Sequence, residues 1–109
     1  MIGGFVVQGD TAKRMIVRAV GPSLSAYGIS TPLLDPNLEL HDGNGTLITS
    51  NDNWADTQQA EIEASGFAPP NANESAIIVV RPAASTTAIV RGKNNATGNA
   101  LLECYVLPP

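Results

Sequence analysis

LELHDGNGTLITS, residues 38–50, is the stretch that decides the fold. Residues 38–41 alternate apolar and polar side chains, which is the period of a strand with one buried face. The next four residues, 42–45, are Asp-Gly-Asn-Gly, a composition that tolerates the positive φ of a tight turn. Residues 46–50 then return as the partner strand. This stretch predicts an antiparallel β-hairpin.

Five further short runs favour strands, and clusters of Gly, Pro, Asn and Asp separate them. They are residues 5–8, 15–20, 74–81, 86–91 and 100–107. Residues 56–64 are the one helical segment predicted, with Asp56 as N-cap, Gln59 at the capping-box position and Gly66 closing the end. We therefore predict an all-β fold, an antiparallel jelly-roll-like β-sandwich of about seven to eight strands with one short helix.

Length and composition are those of a single module. The chain has 109 residues, of which 43% are hydrophobic and only 15% charged, a balance that suits an all-β extracellular module. We expect residues 1–107 to form one sandwich and residues 108–109 to begin a linker or tail. If the parent protein is secreted, its signal lies upstream, and Met1 need not be native.

Charge and hydropathy exclude two classes of partner. The net charge of −4 offers no cationic footprint for nucleic acid, and no apolar run approaches the length of about 20 residues that spans a bilayer. Cys104 is the single cysteine, so no internal disulfide forms. It lies in an apolar run and is expected to be a small buried side chain.

Several stretches resemble known bacterial modules. Residues 35–40, 42–48 and 50–53, followed by Glu74-Ser75-Ala76 and the last two predicted strands, resemble the core of bacterial pre-peptidase C-terminal domains. Residues 18–24 and 51–54 are closer to an uncharacterised module of very large secreted proteins from environmental bacteria such as verrucomicrobia. The resemblance implies a jelly-roll sandwich attached to a secreted or surface protein. Similar collagen-binding domains include some that hold calcium.

The sequence offers few groups of residues that could carry out catalysis. His41 is the only histidine, and it ends an alternating strand beside Asp42. The sequence GPSLS, residues 21–25, approaches a nucleophile elbow but has Ser25 where glycine is needed. Glu61 and Glu63 are two apart, so they point to different faces of a helix. We expect no enzyme and no catalytic residues.

Oxygen-rich loops make calcium the candidate cofactor, because Ca²⁺ takes six to eight hard oxygen ligands. The hairpin is expected to bring residue 35 and residues 51–53 to one edge of the sandwich and its tip to the other. The predicted metal ligands are therefore Asp35, Asp52, Asn53 and Asp56. The alternative is that these side chains only cap turns, as Asp and Asn commonly do.

Aromatic side chains and one arginine complete the candidates. Trp54 and Tyr27 lie in predicted loops and could form a small ligand-binding platform, although Trp54 could instead cover the end of the sandwich. Arg18 interrupts an apolar strand, so it faces solvent or pairs with a carboxylate such as Asp35 or Glu74.

These observations lead to a functional expectation. We expect a non-catalytic structural or adhesive module of a secreted or cell-surface bacterial protein, whose partners are neighbouring copies or other domains. Self-assembly by strand exchange is one form of it, in which residues 1–7 pair with a sheet edge of the next copy. The alternative is an accessory module of a secreted hydrolase that binds a polysaccharide or a collagen-like ligand.

Overall fold

The computed structural model describes residues 2–6 and 11–108, and for residues 2, 5 and 6 it describes only the backbone. Seven strands lie in these residues: β1 (Ile2–Val6), β2 (Lys13–Val20), β3 (Pro36–Asp42), β4 (Leu47–Asn51), β5 (Ser75–Arg81), β6 (Ser85–Gly92) and β7 (Leu101–Val106). Between them lie one α-helix, α1 (Gln59–Ser65), and three short 3-10 turns, Pro22–Tyr27, Trp54–Asp56 and Lys93–Asn95.

The strands form two antiparallel sheets. One has four strands in the order β1-β6-β3-β4, and the other has three in the order β5-β2-β7. Of the connections between the described strands, only the one from β3 to β4 stays within a sheet, and the rest cross from one sheet to the other. The predicted all-β antiparallel sandwich with one short helix is confirmed.

The hairpin predicted from residues 38–50 is β3 and β4. Its turn is held by Asp42, whose Oδ1 accepts the backbone N–H groups of Asn44 and Thr46, both at 2.9 Å. Gly45 has φ of 82°, the left-handed conformation expected of this turn. The strand register shifts between Leu40 and His41, so the hairpin also carries a bulge.

The core occupies two layers rather than one. Between the sheets, a buried cluster contains Val17, Ala19, Leu33, Leu38, Leu40, Ile77, Ala88 and Val90. On the other face of the three-stranded sheet, a second cluster contains Ile16, Ile62, Ala76, Ile78 and Leu107. Because Ile62 belongs to α1, the helix side of the molecule forms a third layer over this sheet.

The two layers explain the different sequence patterns of the strands. In β2, Met15, Ile16 and Val17 are buried in succession, because both faces of its sheet are covered. In β3, Leu38 and Leu40 are fully buried and alternate with partly exposed residues, because one face of the four-stranded sheet lies open to solvent.

The helix begins three residues later than predicted. Asp56 lies in the 3-10 turn Trp54–Asp56 and not at a helix N-cap. Gln58 is the N-cap residue, and its side chain is used elsewhere: it bonds the backbone of Ile78 in β5. The predicted end is confirmed, since Gly66 closes α1 with φ of 81°.

The first strand pairs within its own chain. β1 runs antiparallel to β6, with Gly3 opposite Ala88, at the edge of the four-stranded sheet. Gly3 lies so close to Leu102 that a Cβ there would stand 2.6 Å from Leu102 Cδ2. The predicted strand 5–8 is thus shifted towards the N-terminus, and its Val7 and Gln8 lie outside the described residues.

The expectation that Cys104 is buried is wrong. The residue is exposed, because it lies on β7, which is an edge strand of its sheet. Its Sγ still lies 3.7 Å from Met15 Sδ, and burial of the sulfur raises the pKa of the thiol. Within the described ranges, no helix has the length and apolar character needed to cross a bilayer.

Candidate functional site

The predicted acidic edge is present at the end of the sandwich. Asp35 precedes β3 and Asp52 follows β4, so the hairpin brings both carboxylates to the same end. Lys93, in the turn after β6, places its Nζ 3.7 Å from Asp35 Oδ2 and 3.5 Å from Asp52 Oδ2. Burial raises the pKa of Asp35, the neighbouring Asp52 raises it further, and Lys93 opposes both effects.

Three buried oxygens at this end lack hydrogen-bond partners among the described residues. They are Oδ1 of Asp35, Asp52 and Asn53, which are three of the four predicted metal ligands. The fourth, Asp56, contacts only Asn53 of this set, through Asn53 Nδ2 at 3.5 Å and through its own backbone N–H. We call Asp35, Asp52, Asn53 and Lys93 the acidic end.

The donor set fits calcium only in part. Carboxylate and amide oxygens are the ligands Ca²⁺ prefers, but the three buried oxygens are fewer than the six to eight it takes. The ammonium of Lys93 already offsets the charge of both carboxylates, so an ion would have to displace it. Within the described residues, no group of three His, Cys, Asp or Glu side chains is arranged for a metal.

Glu74 is the polar centre of the same end of the molecule. It is completely buried, and its carboxylate accepts the backbone N–H groups of Gly21 (2.9 Å), Ser23 (3.0 Å) and Asn71 (3.0 Å). It also accepts the Ser23 hydroxyl at 2.7 Å. Such bonds replace the water that a buried carboxylate loses. The carboxylate of Glu74 thus holds the turn after β2 and the turn before β5 together.

Further hydrogen bonds connect Glu74 to the acidic end. The carbonyl of Glu74 accepts the backbone N–H of Trp54 at 2.9 Å. Ser75 Oγ donates to the carbonyls of Asp52, at 2.8 Å, and of Pro36. Asn51 Oδ1 accepts the backbone N–H of Ala76 at 3.1 Å. Four of the segments that carry the sequence resemblance, residues 18–24, 35–40, 50–54 and 74–76, therefore meet in one network, which we call the end network.

Gly21 is needed where this network meets the sandwich. A Cβ at this position would stand 1.9 Å from the carbonyl oxygen of Leu33, a distance that no side chain tolerates. The glycine lets the turn that begins at Pro22 pass directly over the loop before β3. The sequence GPSLS is therefore a packing and hydrogen-bonding element.

The groups considered for catalysis are engaged in local structure. Ser23 donates to Glu74, and Ser25 Oγ donates to the carbonyl of Pro22 at 3.0 Å. His41 Nε2 lies 3.0 Å from Glu39 Oε1, and its Nδ1 lies 3.2 Å from the carbonyl of Gly45. Both ring nitrogens face acceptors, so both bonds form only with the protonated ring.

The two predicted ligand-binding aromatics lie in different surroundings. Trp54 is partly buried against the cluster around Ile16 and Ile62, and its indole Nε1 is buried with no partner among the described residues. Tyr27 ends a 3-10 turn and is 83% exposed, beside a pocket that Trp54 does not line. The structure thus places Trp54 as a cover over the helix-side cluster.

Arg18 pairs with a carboxylate that the sequence did not indicate. Its Nε donates to Glu103 Oε1 at 2.9 Å, and its Nη1 donates to the carbonyl of Phe67 at 3.1 Å. Glu103 lies directly opposite Arg18 in the β2–β7 register, whereas Asp35 and Glu74 belong to the end of the sandwich. The predicted partners were wrong because strand pairing, which sequence distance does not show, selects the nearest carboxylate.

Lys93 is the important residue that sequence reasoning missed at this end, and Glu74 was considered only as a partner of Arg18 and within the resemblance. Lys93 lies in a Gly-Lys-Asn-Asn turn with no signal that relates it to residue 35, although its backbone N–H also donates to the carbonyl of Asp35 at 3.1 Å. Glu74 carried one usable signal: it is a charged residue that directly precedes a strongly apolar strand.

The fold and this end define a class of protein, an antiparallel β-sandwich whose end is closed by a hydrogen-bonded polar network. No protein-family model matches the chain, and comparisons with curated proteins and with solved structures likewise found no match.

Proposed function

We propose that the chain is a non-catalytic structural or adhesive module of a secreted or cell-surface bacterial protein. The observation that carries the proposal is the end network. Its motif residues are used to bond backbone groups, with Glu74 completely buried among the N–H groups of Gly21, Ser23 and Asn71. Residues used in this way hold loops in place, which is the task of a rigid spacer.

The surface and the sequence add support. Val80, Leu101 and Val106 lie in the two edge strands of the three-stranded sheet and are 60%, 45% and 66% exposed. Exposed apolar side chains on these strands suit side-chain contact with neighbouring domains or copies. The resemblance to modules of large secreted proteins, and the low charge content, point to the same extracellular setting.

A direct test is a screen of the purified chain against ester, peptide and glycoside substrates, together with Ser23→Ala and His41→Ala variants. We expect no turnover above that of a heat-denatured sample. Turnover by the wild-type chain that either substitution abolishes, with the fold intact by circular dichroism, would contradict the non-catalytic proposal.

In one form of the proposal, copies of the chain assemble by exchanging a strand. β1 is an edge strand paired with β6 of its own chain, and Gly3 and Gly4 supply no side chain to pack at two of its positions. These properties favour β1 as the strand that is exchanged. We expect concentration-dependent dimers or filaments in sedimentation velocity, abolished by Gly4→Pro. A monomer at millimolar concentration rules this form out.

Calcium stabilisation is a second form of the proposal, and substitution of Lys93 provides a specific test of it. If an ion binds the oxygens of Asp35, Asp52 and Asn53, calcium should raise the melting temperature, and it should raise that of Lys93→Ala more, because the competing ammonium is gone. Asp52→Asn should lose the effect. Equal melting temperatures in excess calcium and excess chelator, in both the wild type and Lys93→Ala, would exclude the site.

The alternative function is a polysaccharide- or collagen-like-ligand-binding accessory module of a secreted hydrolase. The observation in its favour is Tyr27, whose 83% exposed ring stands beside a surface pocket. Collagen-model peptides and oligosaccharides immobilised on one array, probed with wild-type chain and Tyr27→Ala, test it. Failure of every ligand to bind would leave the structural role alone.

A further inference from the structure

The pocket beside Tyr27 has an apolar rim and a charged floor. It lies on the outer face of the three-stranded sheet, between the turn Pro22–Tyr27 and the start of β7, and its volume is about 280 Å³. Leu24, Tyr27, Pro70 and Leu101 form its rim. The less exposed lining residues are Arg18 and Glu103, which face each other across the sheet, with Val20 and Ser23 beside them. This volume is near the lower end of ligand pockets, which suits a ligand of one or two sugar rings.

Tyr27 has no structural task that would explain its position. The side chain is 83% exposed, and among the described residues it makes no hydrogen bond or ring contact. Leu101 next to it is 45% exposed. A bare aromatic ring beside an exposed leucine is a surface that gains free energy when an apolar ligand face covers it.

The floor of the pocket is rigid. Arg18 is held by Glu103 Oε1 at 2.9 Å and by the carbonyl of Phe67 at 3.1 Å, and its guanidinium lies 5.6 Å from the ring centre of Tyr105. Tyr105 in turn stacks on Phe67 with ring centres 4.5 Å apart, and its hydroxyl donates to Glu103 Oε2. A polar group fixed in this way costs little further ordering when a ligand binds.

The floor offers donors and acceptors without net charge. Arg18 has five N–H donors. Nε donates to Glu103, Nη1 to the carbonyl of Phe67, and the guanidinium also interacts with the Tyr105 hydroxyl, so N–H groups remain for a ligand. Glu103 balances the charge of Arg18, and both side chains are only about one-fifth exposed, at 19% and 20%. A neutral ion pair of this kind attracts neither anions nor cations strongly.

We propose that this pocket binds a neutral saccharide, with the C–H face of a sugar ring on Tyr27 and its hydroxyl groups on Arg18 and Glu103. A sugar combines an apolar face with hydroxyl groups that both donate and accept, and the pocket presents a partner for each. The site differs from a Tyr27–Trp54 platform, since Trp54 covers the helix-side cluster. The inference rests on the alternative function above and is independent of the structural role.

The test is an array of neutral oligosaccharides (glucans, mannans, xylans and galactans) with uronate-containing and collagen-model-peptide arms, followed by NMR titration of the best binder. We expect shifts at Leu24, Tyr27 and Leu101. Tyr27→Ala should weaken binding about tenfold or more, the order expected when a stacked ring is lost. Leu47→Ala, which truncates a 53% exposed apolar side chain on β4, is the matched control and should change nothing.

A second variant tests the floor. Glu103→Gln retains a hydrogen-bond acceptor for Arg18 but leaves the guanidinium charge unbalanced, so uronates should gain affinity relative to neutral sugars. No binding by any neutral oligosaccharide overturns the inference. So does binding that Tyr27→Ala leaves intact, or a wild-type preference for uronates. Peptide binding alone, lost in Tyr27→Ala, keeps the alternative function but rejects the saccharide.

Discussion

At the residue scale, Glu74 contributes most clearly to the structure. It is a completely buried carboxylate with no Lys or Arg partner among the described residues, and four hydrogen bonds from the chain satisfy it instead. Three of its donors are backbone N–H groups, which cannot turn away when the acceptor is lost. A change at this position therefore leaves buried donors without partners, which is more costly than losing a surface ion pair.

We predict that Glu74→Gln lowers the free energy of unfolding by about 3 kcal/mol, because the amide N–H₂ group meets N–H donors where an acceptor is needed. Urea denaturation followed by tryptophan fluorescence measures this. Glu63→Gln on the exposed face of α1 is the control and should stay within about 0.5 kcal/mol of wild type. A loss no larger than that of the control would show that Glu74 is not the centre of the end network.

His41 gives the molecule a dependence on pH. The hydrogen bond to Glu39 and the carbonyl of Gly45 raise the pKa of His41 above its ordinary 6.5. The hydrogen bond from His41, and then Arg91, lower the pKa of Glu39 below its ordinary 4.5. The stability that His41 contributes to the fold is complete below pH 6.5 and is lost as the pH rises through its raised pKa. The stability that Glu39 contributes is complete above pH 4.5 and is lost as the pH falls through its lowered pKa.

The interaction should therefore stabilise the fold most between about pH 4.5 and 6.5. We predict that His41→Gln loses less stability than wild type when pH is raised from about 5.5 to 8. Denaturant midpoints at the two pH values give the comparison, and the contribution of Asp35 and other groups cancels between the two proteins. Equal pH slopes would mean that His41 is not held by Glu39 in solution.

At the scale of the secondary-structure elements, the edge of β5 is closed by side chains. Gln58 Nε2 donates to the carbonyl of Ile78 and Gln58 Oε1 accepts the N–H of Ile78, both at 2.9 Å. The amide thus occupies the position that a neighbouring strand would take. Asn51 Oδ1 accepts the backbone N–H of Ala76, two residues earlier in β5, and so covers the same edge there. Edges blocked in this way resist pairing with other chains.

We predict that Gln58→Ala destabilises the chain by about 1–3 kcal/mol and speeds hydrogen exchange of the Ile78 amide, because two backbone groups lose their partners. Self-association through β5 should also increase. Gln59→Ala is the matched control, since Gln59 is exposed and bonds only Glu63 of its own helix, at 3.2 Å. Unchanged exchange at Ile78 in Gln58→Ala would refute this role.

At the scale of the whole molecule, the helix side completes the sandwich. Ile62 is the only buried residue of α1, and it closes the outer face of the three-stranded sheet over Ile16 and Ile78. Gln58 and Trp54 also hold the segment between β4 and β5, through hydrogen bonds to Ile78 and packing on the same cluster. Ile62 is the buried contact that comes from α1 itself, so the docking of the helix should depend strongly on it.

We predict that Ile62→Ala costs about 2–5 kcal/mol, the range for emptying a fully buried aliphatic site. Trp54 fluorescence should shift to the red as the layer loosens, because the ring packs against the same cluster. Leu47→Ala, at a 53% exposed position on the hairpin, should cost far less. Similar losses in the two variants would show that the helix layer is not packed as described.

Much of the fold was predictable because its signals are local. The alternation of Leu38 and Leu40, the Asp-Gly-Asn-Gly turn and the closing Gly66 depend on backbone preferences within a few residues. The start of α1 was missed for the opposite reason. Contacts from Trp54 to Glu74 and from Gln58 to Ile78 across the fold determine where the helix begins.

The sequence by itself determined the antiparallel hairpin of residues 38–50 and, through it, the meeting of Asp35 with Asp52 at one end of the sandwich. Local chemistry suffices there, because a hairpin relates its two ends by strand length alone. Only the tertiary structure decided that Lys93 stands between those carboxylates, that Arg18 pairs with Glu103 and that Glu74 is buried. Those partners lie far apart in sequence, and strand order and register, which no local pattern encodes, bring them together.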